Sequence, residues 1–153
     1  QGDILEFRFP RDPRFTYLQR VMGTGNQLVS FEAPDPKTPP SVDGLDRLWS
    51  RAQAESWQSA DCTVRAGEVV DETIPEPART YRVLLSPTAE PSEGVLVPED
   101  SLFVVNDNRK YRSDSRTFGA IAEREVSGQV LGIGFSWDPC AGSVRGERVG
   151  DLD

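Results

Sequence analysis

Asn106-Asp107-Asn108-Arg109-Lys110-Tyr111-Arg112-Ser113-Asp114-Ser115-Arg116 is a run of polar side chains without one aliphatic residue. Asp107 with Arg109, and Asp114 with Arg116, stand as close acid–base pairs, and such pairs can fix a loop through bidentate hydrogen bonds. A rigid polar loop between strands is a frequent place for a site; a plain solvated loop is the competing reading. The chain has no histidine. That removes Ser-His-Asp and Cys-His catalysis and the commonest transition-metal ligand. Cys62 and Cys140 are the two cysteines, too few for a zinc cluster, so neither a metal nor another cofactor is expected. They are either one disulfide or two small core residues. Two lysines are present, Lys37 and Lys110. Lysine is the one base left for a serine nucleophile, and it serves only when burial lowers its pKa. A net charge of -8 and a pI of about 4.6 argue against a nucleic-acid partner.

The elements that must hold these groups read as β-structure. Twelve Pro and thirteen Gly break the chain into short apolar runs, which favours an all-β fold with many turns over a helical bundle. Ile4 to Phe9 alternates, with Leu5, Phe7 and Phe9 on one face and Ile4, Glu6 and Arg8 on the other. Pro10 to Pro13 forces a turn, Phe15 to Met22 is a second strand, Gly23 to Asn26 a tight turn, and Leu28 to Phe31 a return strand. Ala33 to Ser41 carries four prolines in nine residues and reads as a linker or exposed loop. Leu45, Leu48, Trp49 and Ala52 recur at helical spacing, which predicts one short helix covering a sheet edge. Thr63 to Val70, Thr80 to Leu85, Val95 to Val97 and Ser101 to Val105 are further strands. Thr117 to Ala122 and the glycine-bearing Val126 to Trp137 close the sheet. The tail after Cys140 reads as polar and loosely held. No stretch approaches the ~20 apolar residues needed to span a bilayer. Residue 1 is Gln rather than Met, so the chain is expected to be a processed or truncated piece.

The segment VPEDSLFVVNDNRKYRSDSRTFGAIAEREVSGQVLGIGFSWD resembles the signature of type I signal peptidases, in which Gly-Asp-Asn-Arg leads to Ser-Asp-Ser-Arg and then an aromatic-Gly pair. GDILEFRFPRDPRFTYLQRVMG resembles the same family's Gly-Asp-Ile strand, its Pro-rich turn and the strand ending Lys-Arg-x-x-Gly. The two blocks, about Gly2 to Val29 and Val95 to Asp138, stand in the family's order. Residues 30–94 match no motif and read as a variable insert within a single β domain spanning 1–153. The resemblance implies coiled antiparallel sheets of the signal-peptidase/LexA-like type. It implies an inner-membrane-associated enzyme, anchored by upstream helices, that cleaves signal peptides on the periplasmic face. Its chemistry is a serine hydroxyl activated by a neutral lysine, and its substrate is an extended peptide added to a sheet edge at Thr16, Tyr17 and Leu18.

The chain departs from that pattern at the chemistry. The family's serine is expected upstream of Gln1. The general-base lysine falls on Gln19, and an amide cannot take a proton from a hydroxyl at neutral pH. The serine that orients the lysine falls on Arg112, the loop glycine on Asn106, and an apolar wall residue on Glu6. An ion pair between Glu6 and Arg112 across the old site is the expectation. Asp107, Asn108, Arg109, Asp114, Ser115 and Arg116 fit the family's loop scaffold, and Lys110 reads as a surface lysine. Three readings follow: a signal peptidase carrying an inactivating change, a non-catalytic module that binds extended peptides by strand addition, or a relative that matures conjugation pilins.

Overall fold

The computed structural model describes residues 1–31, 38–75, 78–86 and 92–152. Strands dominate. In chain order they are β1 (Ile4–Arg8), β2 (Thr16–Thr24), β3 (Leu28–Phe31), β4 (Ser41–Val42), β5 (Leu45–Asp46), β6 (Leu48–Trp49), β7 (Gln53–Gln58), β8 (Val64–Ile74), β9 (Arg79–Leu84), β10 (Ser92–Leu96) and β11 (Ser101–Val105). The four-residue helix α1 (Ser115–Phe118) follows, then β12 (Ile121–Ala122), β13 (Val126–Val130), β14 (Gly132–Ile133), β15 (Trp137–Asp138), β16 (Ser143–Val144) and β17 (Gly150–Asp151).

The main sheet is antiparallel in the order β12-β11-β2-β1-β13, with β2 at its centre. Side chains alternate across β2. One face joins Phe7, Val21, Leu102, Val104 and Ile121 in a core that Leu5, Tyr17 and Phe118 flank. The other joins Met22, Phe103 and Val105 to Val29 and Val42 of a second sheet, ordered β10-β3-β4-β5. The expected alternation of β1 is present: Phe7 is fully buried while Glu6 and Arg8 are exposed. Burying one such aromatic contributes about 1.5–3 kcal/mol. Gly2 sits at φ +84, and a Cβ there would meet Ile74 Cδ1 at 2.8 Å. Both the backbone conformation and the close approach require glycine.

The variable segment builds a small lobe. β8 pairs with β6 and β7 on one flank and with β9 on the other, over a core of Val70, Ile74, Tyr81, Val83 and Leu85. The helix expected across Leu45 to Ala52 is absent. That stretch forms β5 and β6, and Leu45 and Leu48 are exposed. The reason is Asp43-Gly44, whose positive φ angles of 54° and 76° close a two-residue hairpin between Val42 and Leu45, as Asp-Gly between apolar residues does. The short helix is instead α1, capped by the Asp114 carboxylate, which accepts from the Arg116 backbone N–H. Two closing strands are also shorter than expected. Only Ile121 and Ala122 of the first pair with β11, and the last strand breaks at Leu131 before Gly132.

Beyond β13 the tail makes only two-stranded pairings, β14 with β17 and β15 with β16. A disulfide joins its Cys140 to Cys62 at the tip of the β7–β8 hairpin, with Cα atoms 5.5 Å apart. Of the Pro-rich loop, residues 33–37 lie outside the described residues, as do 87–91 of the loop before β10. Among the described residues no helix is long and apolar enough to cross a membrane.

Candidate functional site: the loop over Gln19

Gln19 and Arg20 are consecutive on β2, so they enter opposite faces of the main sheet. Gln19 is opposite Leu5 on β1 and only 3% exposed. Its Nε2 donates to the Ser113 carbonyl at 2.6 Å and to Asn106 Oδ1 at 3.3 Å. The amide can stand only one way round. Asn106 Nδ2 is committed to the Tyr111 carbonyl (3.1 Å) and to Asp114 Oδ2 (3.4 Å), so its oxygen faces Gln19. Gln19 must then offer its nitrogen, and its Oε1 is left buried without a donor among the described residues.

The loop that brings Asn106 and Ser113 to this point is built around Asp114, which is fully buried. Arg116 grips it in a fork, Nε to Oδ1 at 2.9 Å and Nη2 to Oδ2 at 2.6 Å, and the Asn106 N–H donates to the same Oδ2 at 3.0 Å. The free edge of the guanidinium donates to the carbonyls of Arg109 (3.1 Å) and Tyr111 (2.9 Å). The Ser115 hydroxyl accepts the Val104 N–H at 2.9 Å, and Asn108 Oδ1 accepts the Lys110 N–H at 3.2 Å. Lys110 is exposed.

On the opposite face Arg20 pairs with Asp107 through Nε (2.7 Å) and Nη2 (2.8 Å), donates to the Gly2 carbonyl (2.6 Å), and lies 4.0 Å over the Tyr81 ring. Asp107 therefore bonds Arg20, and the expected pairing with Arg109 is replaced. Arg109 turns instead to Glu72 of β8 at 2.9 Å. Glu72 is fully buried and also accepts from Tyr81 Oη (2.5 Å) and Trp49 Nε1 (2.8 Å). Arg47, 2% exposed, donates to Tyr81 Oη and the Met22 carbonyl. Burial pushes the Glu72 carboxyl up. The Arg109 charge and the bonds from Tyr81 and Trp49 outweigh that and hold it below the ordinary carboxylate range. Burial and the neighbouring Glu72 charge push the Tyr81 hydroxyl well up.

The loop residues Asp107, Asn108, Arg109, Asp114, Ser115 and Arg116 thus form one scaffold, and Gln19 meets it at Asn106. Two other residues do not converge there. Glu6 is opposite Leu18, so it faces away from Gln19. Arg112 is exposed, and it is the carbonyl of its neighbour Ser113 that meets the amide. Glu6 has Leu18 and Gly128 as its cross-strand neighbours, while Arg112 lies in the loop before α1, outside those pairings. Glu72, Tyr81, Arg47 and Trp49 escaped the reading from sequence. A signal for Glu72 was present, because a charge interrupts the buried stripe Val70, Glu72, Ile74.

The comparisons with known proteins converge on one family. The family model described as signal peptidase, peptidase S26, matches residues 1–135. The chain belongs to the signal peptidase family. Among curated proteins, signal peptidase I of Pseudomonas fluorescens is 23% identical over 90% of this chain and 49% of its own length. Signal peptidase I of Pseudomonas aeruginosa is 22% identical over 91% and 50%. Signal peptidase I of Aquifex aeolicus is 24% identical over 89% and 63%. The chain spans about half the length of the two Pseudomonas proteins. A crystal structure of a signal peptidase I from Enterococcus faecalis aligns with a TM-score of 0.48 at 20% identity, covering 84% of this chain and 93% of that one.

Proposed function

We propose that this chain is the catalytic-domain portion of a signal peptidase I-like protein that does not itself cleave peptides and retains a flank for binding them in extended form. The observation that carries this is Gln19. Where the family signature calls for lysine, a carboxamide is locked by the Ser113 carbonyl and Asn106. An amide has no lone pair basic enough to draw a proton from a hydroxyl near neutral pH.

The binding flank follows from the backbone of β2. The Val21 N–H donates to Asp3, and the Phe15 carbonyl accepts from Phe9. Residues 15, 17, 19 and 21 therefore aim their polar groups at β1, and Thr16, Leu18 and Arg20 aim theirs at the other flank. There β11 pairs with β2 from Arg20 to Thr24 only. Among the described residues no strand pairs with Thr16 and Leu18 on that flank, so their N–H and C=O groups stand in line with β11, the geometry that strand addition uses, with the Tyr17 side chain on the Gln19 face. Signal peptides and other extended segments are the partners this fits. The disulfide supports an oxidising compartment, consistent with a membrane-associated protein facing out of the cytoplasm.

The test pairs calorimetry with mass spectrometry on an extended signal-peptide substrate. Binding without cleavage is expected. Cleavage that survives removal of host peptidase overturns the reading.

A further inference from the structure

Glu72 lies in the small lobe, yet its carboxylate is the start of a continuous polar chain that ends at Gln19. Glu72 Oε1 takes Arg109 Nη2 at 2.9 Å. The Arg109 carbonyl takes Arg116 Nη1 at 3.1 Å, Arg116 forks onto Asp114, and Asp114 takes the Asn106 N–H at 3.0 Å. Asn106 Oδ1 and the Ser113 carbonyl complete the run at the Gln19 amide. The backbone adds a second tie between lobe and loop. Leu84 of β9 donates its N–H to Asp107 and accepts the N–H of Arg109, both at 2.9 Å.

We infer that Glu72 is a positioning residue. The small lobe, acting through the Glu72–Arg109 ion pair, sets where Asn106 and Ser113 stand over Gln19. Three observations carry this. Glu72 is fully buried and Arg109 is 5% exposed, so solvent cannot replace either partner. The Arg109 side chain reaches into the lobe while its carbonyl accepts from Arg116, so one residue touches both the lobe carboxylate and the clamp on Asp114. Asn106 and Ser113 are tied at opposite ends of the same loop, so a rotation of Asp114 changes both contacts to Gln19 together. Continuity alone does not establish energetic coupling between sites; a perturbation at one end must be read at the other.

The experiment substitutes Glu72→Gln, which keeps the shape and removes the charge, and reads the Gln19 side-chain amide by nitrogen–proton NMR. Its signals are assigned by their loss in Gln19→Met. Displaced Gln19 signals are expected, with exchange of the 106–116 amides faster by about tenfold or more. Glu72→Asp, which keeps the charge and withdraws it by one methylene, gives a smaller displacement in the same direction and stands in if Glu72→Gln does not fold. Val83→Ala is the control. It opens the lobe core without removing any group of the polar chain, and it lowers stability while leaving the Gln19 signals in place. Unmoved Gln19 signals in the folded Glu72 variants overturn the inference, as does an equal displacement in Val83→Ala.

Where the partner is a peptide, which rests on the reading of β2 as a binding flank, Glu72→Gln also weakens the signal-peptide probe by about tenfold. If the unmodified protein binds no peptide, that reading fails alone, because the Gln19 amide reports the coupling without a ligand.

Discussion

Gln19 and Arg20 share a peptide bond and almost nothing else. Arg20 enters a face built on two ion pairs, Asp107 with Arg20 and Glu72 with Arg109; Tyr81 and Trp49 also donate to Glu72, and Arg109 Nε is left without a partner among the described residues. Gln19 enters a face where a neutral amide is bonded on one side and orphaned on the other. A buried acceptor without a donor costs about 1–3 kcal/mol, and native structures tolerate few. The comparison separates two uses of buried polarity. The Arg20 face spends its charges on fixing two lobes together. The Gln19 face holds a neutral amide against the Ser113 carbonyl and Asn106.

That contrast can be broken by stability measurements, and the largest effect belongs to the charged face. Arg109→Met leaves the Glu72 carboxylate buried without its ion pair, and urea unfolding should report a loss of about 3–5 kcal/mol. Arg20→Met costs less, about 2 kcal/mol, because Asp107 is partly exposed and water takes over its oxygens. The pH profile sharpens the same point. Glu72 is held below its ordinary value of 4.5, so its contribution is complete above that value and is lost as the pH falls through the folded-state pKa. Tyr81 is raised above its ordinary value of 10, so its contribution is complete below that value and is lost as the pH climbs past it. Unfolding midpoints measured across pH should fall at both ends, and Tyr81→Phe should flatten the alkaline arm. Gln19→Leu is the smallest case. It gives up the bonds to Ser113 and Asn106 and relieves an orphan acceptor, and stability should change by less than about 1 kcal/mol. A loss comparable to that of Arg109→Met would erase the distinction between the faces.

Much of this was legible because β-structure has a period of two. The alternation of Leu5, Phe7 and Phe9 announced β1, and Asp114 with Arg116 announced the fork that shapes the loop. The resemblance singled out Gln19 before any coordinates, and the structure buries it under the 106–116 loop. What stayed hidden was long-range pairing. Asp107 and Arg109 look like partners in sequence, yet each finds a better one across the fold, 87 residues away in Arg20 and 37 away in Glu72. Nothing local in Arg47 says that it will be buried against Tyr81. The helix expected over Leu45 to Ala52 failed for a local reason: helical spacing outweighed an Asp-Gly turn signal that was plain in the chain. Glu6 pairs with Leu18, one position from Gln19, and in a strand one position is a change of face.

The Cys62–Cys140 bond spans 78 residues of sequence. Cutting the chain at any single peptide bond within that span releases nothing while the bond is oxidised. The two fragments stay attached and migrate together on a gel until a reductant separates them. β8, β9 and the polar loop all fall inside the span, so a protein nicked between those strands or in the loop still presents itself as one molecule.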